Sequence, residues 1–199
     1  MRVINPKIAA SFAGVLIVAV LSYIFIDIPV AFFCKSLDKS ITDFFGIVTE
    51  FGISTWYLVG FLALFLIFRF LYPQRIYAHR ALFLFVSVAV SGIVTNIIKM
   101  IIGRYRPEML FEKGLYGFEF FQIDSTLVSF PSGHATTAFS LAYALSLFSF
   151  KFRVPLFCFA LAVGASRVII TAHYFSDVVV GAYIGIMSVL GLRKLMWLE

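Results

Sequence analysis

Residues 81–102 read ALFLFVSVAVSGIVTNIIKMII, an apolar run whose one charge, Lys99, comes near its end. About 20 such residues span a hydrocarbon core of about 30 Å, so the run reads as a membrane-crossing helix. Working outward, windows of similar character lie at 8–26, 54–71, 134–150, 154–171 and 174–192. The whole chain agrees: of 199 residues 62% are hydrophobic and 13% charged, against ~25% charged in soluble domains. Two Cys among 25 Phe and 9 Tyr exclude a disulfide scaffold and a multi-Cys zinc site. The expected fold is all-α, a six-transmembrane-helix bundle forming a single domain over 1–199.

Two segments between spans are not simple linkers. Ile41, Phe44, Phe45 and Val48 recur at helical spacing among Lys39, Asp43 and Glu50, which predicts an amphipathic helix lying at the membrane interface. The loop 108–130, with Phe111, Phe118, Phe120 and Phe121, is too apolar for a simple solvated linker and is expected either to lie in the headgroup layer on the outward side, beside the site, or merely to cover the end of the bundle. The run 8–26 is too long for a secretory signal core and no small-x-small cleavage site follows it.

Charge sets the expected orientation. With six spans, Arg2, Lys7, Arg69, Arg75, Arg80, Lys151, Arg153, Arg193 and Lys194 share one side with Glu199 alone against them. By the positive-inside rule that side, with both termini, is cytoplasmic. The net charge of +6 is thereby assigned to topology and not to nucleic acid. Trp56 and Trp197 fall at opposite ends of spans, as interfacial anchors do. Cys34 and Cys158 fall near opposite faces and are not expected to pair.

Charges beside apolar spans are costly and mark function. Lys99 in the last turn of its span precedes Arg106, with Gly103 and Pro107 expected to stop the helix. Pro131-Ser132-Gly133-His134 opens the next span, with Ser132 a natural N-cap and the free backbone N–H groups of a helix start an anion site. Ser166-Arg167 is followed by His173 and Asp177; if helical, these last two share a face at i, i+4. Under the expected topology all converge on the outward interface as a phosphate site, with cations, an amide cradle and two histidines. His79 reads as a solvated loop residue.

Singly, each feature has a plainer reading. Lys99 can be a snorkelling lysine, Arg167 and Asp177 a helix-joining pair, and Pro-Ser-Gly-His an ordinary cap. Their joint occurrence on one membrane face favours a site. Arg104 reads as a headgroup or solvent contact, with substrate contact the alternative. Asn96, one turn inward of Lys99, reads as a packing polar or a partner of Lys99. Gly181-Ala-Tyr-Ile-Gly185 reads as packing against a neighbouring helix.

Lys-x6-Arg-Pro at 99–107, Pro-Ser-Gly-His at 131–134 and Ser-Arg-x5-His-x3-Asp at 166–177 together resemble the three-part signature of the type 2 phosphatidic acid phosphatase superfamily, shared with vanadium haloperoxidases. The resemblance spans the signature region 99–177 without departure at a signature position. It implies that His173 is the nucleophile forming a phosphohistidine, that Asp177 orients it and that His134 protonates the leaving oxygen. It implies too that Lys99, Arg106, Arg167, Ser132 and the Gly133 amide hold the phosphoryl oxygens. No metal and no cofactor is expected, since fixed cations supply the charge stabilisation phosphoryl transfer needs.

The expected protein is thus a membrane lipid phosphatase of the bacterial inner membrane, with its site on the extracytoplasmic side and a membrane lipid phosphate in the bilayer as its partner. Undecaprenyl diphosphate is put first among substrates, with phosphatidylglycerophosphate or a lipid A phosphate as alternatives. A transporter or channel is disfavoured because the charges gather at one interface and not at the midplane. A vanadate-dependent peroxidase is disfavoured by the spans and the membrane-facing site.

Overall fold

The computed structural model describes residues 6–196, which are helical apart from turns, loops and two isolated β-bridges at Arg104. Arg2, Trp197 and Glu199, used above to argue orientation, lie outside the described residues. The helices are α1 (Pro6–Phe25), α2 (Asp27–Lys35), α3 (Lys39–Glu50), α4 (Ser54–Leu66), α5 (Arg75–Ile102), α6 (Pro107–Lys113), α7 (Gly133–Ser146), α8 (Arg153–Ile169) and α9 (Phe175–Leu195).

Among the described residues, five stretches are long and apolar enough to cross a membrane: Pro6–Phe25, Lys39–Leu71, Arg75–Ile102, Phe150–Ile169 and Phe175–Leu195. The sixth expected window is helical only over the 14 residues of α7, about 21 Å at ~1.5 Å per residue. Short and built of HATTAFSLAYALS, α7 is buried on nearly all sides and packs on α5, α8 and α9. A helix without a polar face belongs at the centre of a bundle. Small residues let its neighbours close in. A Cβ at Gly181 would lie 2.5 Å from the Ser132 carbonyl oxygen, and one at Gly185 would meet that of Thr136. The Gly181/Gly185 pair therefore seats α9 on α7 within the chain.

Leu141 and Ala144 of α7 meet Phe83, Leu84, Val189 and Leu192 on one side. Ala138, Phe139 and Ala142 meet Ala160 and Val163 on another. In contrast, α1 buries only Ala19 and Ser22, leaving Phe12, Leu16, Ile17 and Leu21 outward, as a lipid-facing helix would.

A helix, α3, stands where the amphipathic helix was expected, separate from α4 after a turn at 51–53, with Ile41 and Phe44 of its apolar set exposed. It packs on α8 and buries Thr49, with Phe45 and Val48 half-buried. Two helices were not expected: α6, at the start of the segment read as the loop 108–130, and α2. Pro29 is tolerated in the first turn of α2, and Asp27 at the start and Lys35 at the end complement the helix dipole. The end of α4 winds into a π-helical turn, Ile67–Leu71. Cys34 is buried, Cys158 is exposed, and both are free thiols.

Candidate active site

Three chain breaks at one end of the bundle carry the polar residues. The first follows α5. Gly103 has φ 48°, and a Cβ there would run into the Glu119 carbonyl oxygen, so only glycine lets the chain turn beneath the loop. Lys99, in the last turn, donates to the carbonyls of Val128 (2.7 Å) and Ser129 (3.3 Å). Arg106 Nε donates to the Ser125 carbonyl at 2.6 Å and Nη1 to that of Ala172 at 3.4 Å, which sets it beside His173. Pro107 does not merely stop a helix; it occupies the first turn of α6.

The second break precedes α7. Ser132 stands at the N-cap position as expected, but its hydroxyl makes no capping bond and is buried without a partner. The backbone does the fixing, with Ser132 N donating to the Asp177 carbonyl at 3.0 Å. His134 follows one residue into α7. Its ring packs on Gly52, where a Cβ would come within 2.6 Å of His134 Cδ2.

The third break joins α8 to α9. The Arg167 carbonyl accepts from Ala172 N (3.0 Å) and His173 N (3.1 Å), wrapping the chain so that His173 returns to the arginine. Arg167 Nη1 donates to Thr49 Oγ1 at 2.7 Å, while its Nε is buried without a partner. His173 and Asp177 do not share a helix face. His173 precedes the helix and Asp177 is in its first turn, where Oδ2 accepts from Tyr174 N at 2.9 Å. That capping bond bends the chain so that His173 Nδ1 lies 3.6 Å from Asp177 Oδ2. Ser129 bridges them, its Oγ 2.6 Å from Asp177 Oδ2 and 3.3 Å from His173 Nδ1.

Every residue expected at the site is accordingly brought to one region. Lys99, Arg106 and Arg167 lie close enough to act electrostatically on one another and on His134. Among the described residues, none of these three cations is in a salt bridge with a carboxylate. Burial pushes His173 down to about 3, with Lys99 and Arg106 adding to the effect and Asp177 opposing it. Its imidazole is therefore neutral around pH 7. With Nδ1 turned to Ser129 and Asp177, Nε2 is the ring atom left for chemistry.

The expectation for Arg104 is overturned. It is wholly buried, bonded to Asp177 through Nη1, to Asp27 Oδ2 at 2.8 Å and Tyr116 Oη at 3.0 Å through Nη2, and to Ser176. The rings of Tyr23, Tyr116, Phe118 and Tyr174 surround its guanidinium. Burial works against its charge, but Asp177 and Asp27 outweigh it and raise its pKa. Nor is Asn96 bonded to Lys99; it is exposed and lines a cavity of about 180 Å³ with His134, Gly52 and Gly133. Asp27, Ser129, Thr49 and Gly52 were not singled out from sequence. A carboxylate directly after the α1 run was the one signal available for Asp27.

Arg167 Nε and Ser132 Oγ are orphaned polar atoms in a region with three unpaired cations and a helix start. Such a place suits a tetrahedral oxyanion.

Residues 80–199 match the PAP2 superfamily. The chain is 31% identical over 176 residues to a lipid A 1-phosphatase of Rhizobium johnstonii, covering 83% of this chain and 71% of that protein. It is likewise 31% identical over 175 residues to one of Rhizobium etli, covering 83% and 75%. The crystal structure of Aquifex aeolicus LpxE superposes with a TM-score of 0.64 at 23% identity, over 84% of this chain and 94% of that one. A PAP2-type phosphatidylglycerolphosphate phosphatase from Bacillus subtilis gives 0.61 at 16% identity, over 94% of each. The chain belongs to the PAP2 superfamily and is a phosphoric ester hydrolase, an integral membrane lipid phosphatase.

Proposed function

We propose that this enzyme removes a phosphate from lipid A through a phosphohistidine at His173. The observation that carries the chemistry is the pairing of a buried neutral His173, anchored through Nδ1, with orphaned donors on Arg167 and Ser132. Nε2 attacks phosphorus as the P–O bond to the lipid breaks, and the imidazolium that forms is stabilised by Asp177. His134 gives its proton to the departing lipid oxygen. Water then attacks the phosphohistidine, His134 takes up a proton, and inorganic phosphate leaves. Lys99, Arg106, Arg167, Ser132 and the Gly133 amide hold the three equatorial oxygens, a role that dominates phosphoryl transfer. No metal step is needed in this scheme.

For the substrate, sequence alone put undecaprenyl diphosphate first. The two Rhizobium relatives are lipid A 1-phosphatases, which moves lipid A phosphate ahead. The cavity between α4, α5 and α7 opens beside His134. In a six-span reading that counts α7, it gives a headgroup phosphate a sideways route from the bilayer. The apolar loop carrying Phe120, Phe121 and Ile123, all exposed, would rest in the headgroup layer beside it. We place the enzyme in the inner membrane, with termini cytoplasmic and the histidines extracytoplasmic, on the positive-inside distribution.

Phosphate release from lipid A, undecaprenyl diphosphate and phosphatidylglycerophosphate, each with and without EDTA, tests the proposal. It predicts fastest release from lipid A with no effect of chelator. Preference for either other lipid would refute the substrate, and loss with EDTA would refute the mechanism.

A further inference from the structure

A second basic cluster lies far from the histidines. Arg75 opens α5 and Lys99 closes it, so the two are about 36 Å apart at ~1.5 Å per residue. At the Arg75 end a cavity of about 950 Å³ is lined by Arg69, Arg75, His79, Arg80, Arg193 and Phe148. The catalytic reading uses none of them.

Several observations define what this cavity would take. The sequence has no Asp or Glu between Glu50 and Glu108, nor between Asp124 and Asp177. Among the described residues, the segments that line the cavity therefore carry no carboxylate; Glu199 lies outside the described residues. Among the described residues, Arg69, Arg75 and Arg80 form no salt bridge. Arg80 stacks over the Phe148 ring at 5.3 Å, which holds its guanidinium at the wall. Arg69 sits on the π-helical turn Ile67–Leu71, an irregularity that commonly marks a working site. Arginines spread around a bundle rim would suit orientation alone; these converge on one cavity.

The surroundings favour an amphiphile over a soluble anion. Phe70, Leu71 and Tyr72 beside Arg69, and Ile76 beside Arg75, are exposed. Ile76 lines the cavity itself and Phe70 to Tyr72 follow Arg69 in the chain, so exposed apolar side chains adjoin the basic cavity. We infer that this cavity binds the phosphate headgroup of an anionic membrane phospholipid, with acyl chains along α4 and α5. Paired arginines suit phosphate oxygens, and basic pockets between membrane helices suit anionic headgroups.

The test uses the full-length enzyme in nanodiscs of phosphatidylcholine with a minor fraction of phosphatidylglycerol, a phosphodiester. After extraction into mild detergent, native mass spectrometry reads the retained lipids. The wild type is expected to retain phosphatidylglycerol over phosphatidylcholine by about tenfold or more. Combining R69Q, R75Q and R80Q should abolish that preference while phosphate release by the unaltered histidine site persists, which also reports folding. The single variant R75Q, at an exposed helix start, should show a partial loss if the triple variant does not fold. Excess inorganic phosphate should leave the retained lipid in place. Equal retention of both lipids by the wild type, an unchanged preference in the arginine variants, or displacement by inorganic phosphate would each overturn the inference.

Discussion

Asp27 and Arg104 form a wholly buried ion pair, Oδ2 to Nη2 at 2.8 Å, between residues 77 apart in sequence. The same guanidinium holds Asp177, and Asp27 also accepts from the Ser176 backbone N–H at 2.9 Å. The start of α2 is thereby tied to the carboxylate behind His173. In the proposed mechanism Asp27 and Arg104 act only through Asp177, as positioning residues.

Asp27→Asn leaves half of Arg104's charge compensation missing in a dry environment. Breaking such a pair destabilises by on the order of 3–5 kcal/mol. A lower thermal unfolding midpoint in detergent is expected, together with a fall in kcat larger than any change in KM. Unchanged stability and kcat would contradict the arrangement.

Gly52 offers a more local probe. A methyl added there would sit 2.6–2.9 Å from three carbons of His134, so Gly52→Ala should push the imidazole away from the leaving group. The expected loss in kcat is about 10²-fold, the contribution of a general acid, with little change in unfolding temperature. Full activity in Gly52→Ala would mean that His134 either moves freely or does not act.

Leaving-group chemistry separates the two histidines. A lipid monoester expels an alkoxide that needs a proton, whereas a diphosphate expels a phosphate whose second pKa is about 6. His134→Ala should therefore harm monoesters far more than diphosphates, measured on one preparation. Equal losses would remove His134 from the acid role.

The depressed pKa of His173 has a definite sign. An ordinary histidine titrates near 6.5, and burial moves this one to about 3. Between those values the unfolded chain binds a proton that the native chain does not. Stability therefore falls as pH drops through that window, by about 1.4 kcal/mol per pH unit for one group. Nitrogen NMR of labelled histidine should show the His173 ring neutral from pH 8 to 5. A midpoint near 6.5 would contradict the burial argument.

The motif residues were legible because each lies within a short stretch whose local backbone does the positioning. Lys99 ends a helix at Gly103, His134 begins one after Ser132, and His173 is turned back by the Arg167 carbonyl. What stayed hidden is long-range. Arg104 looked like a surface cation because the residues that bury it, Tyr23, Asp27 and Tyr174, come from helices distant in sequence. The His173/Asp177 spacing was read with helical geometry, and the pair meets through a helix start instead. Hydropathy gave α7 the length of its apolar window, whereas the chain leaves the helix after Ser146. No periodicity marked α2, whose nine residues are fixed by the Asp27 contacts at its start.

The most direct test of the account is to quench the enzyme during turnover of a lipid carrying radiolabelled phosphate and map the labelled peptide. An alkali-stable, acid-labile label on His173, absent from His173→Ala, is the predicted result. Label that persists in His173→Ala, or that maps to another side chain, would contradict it.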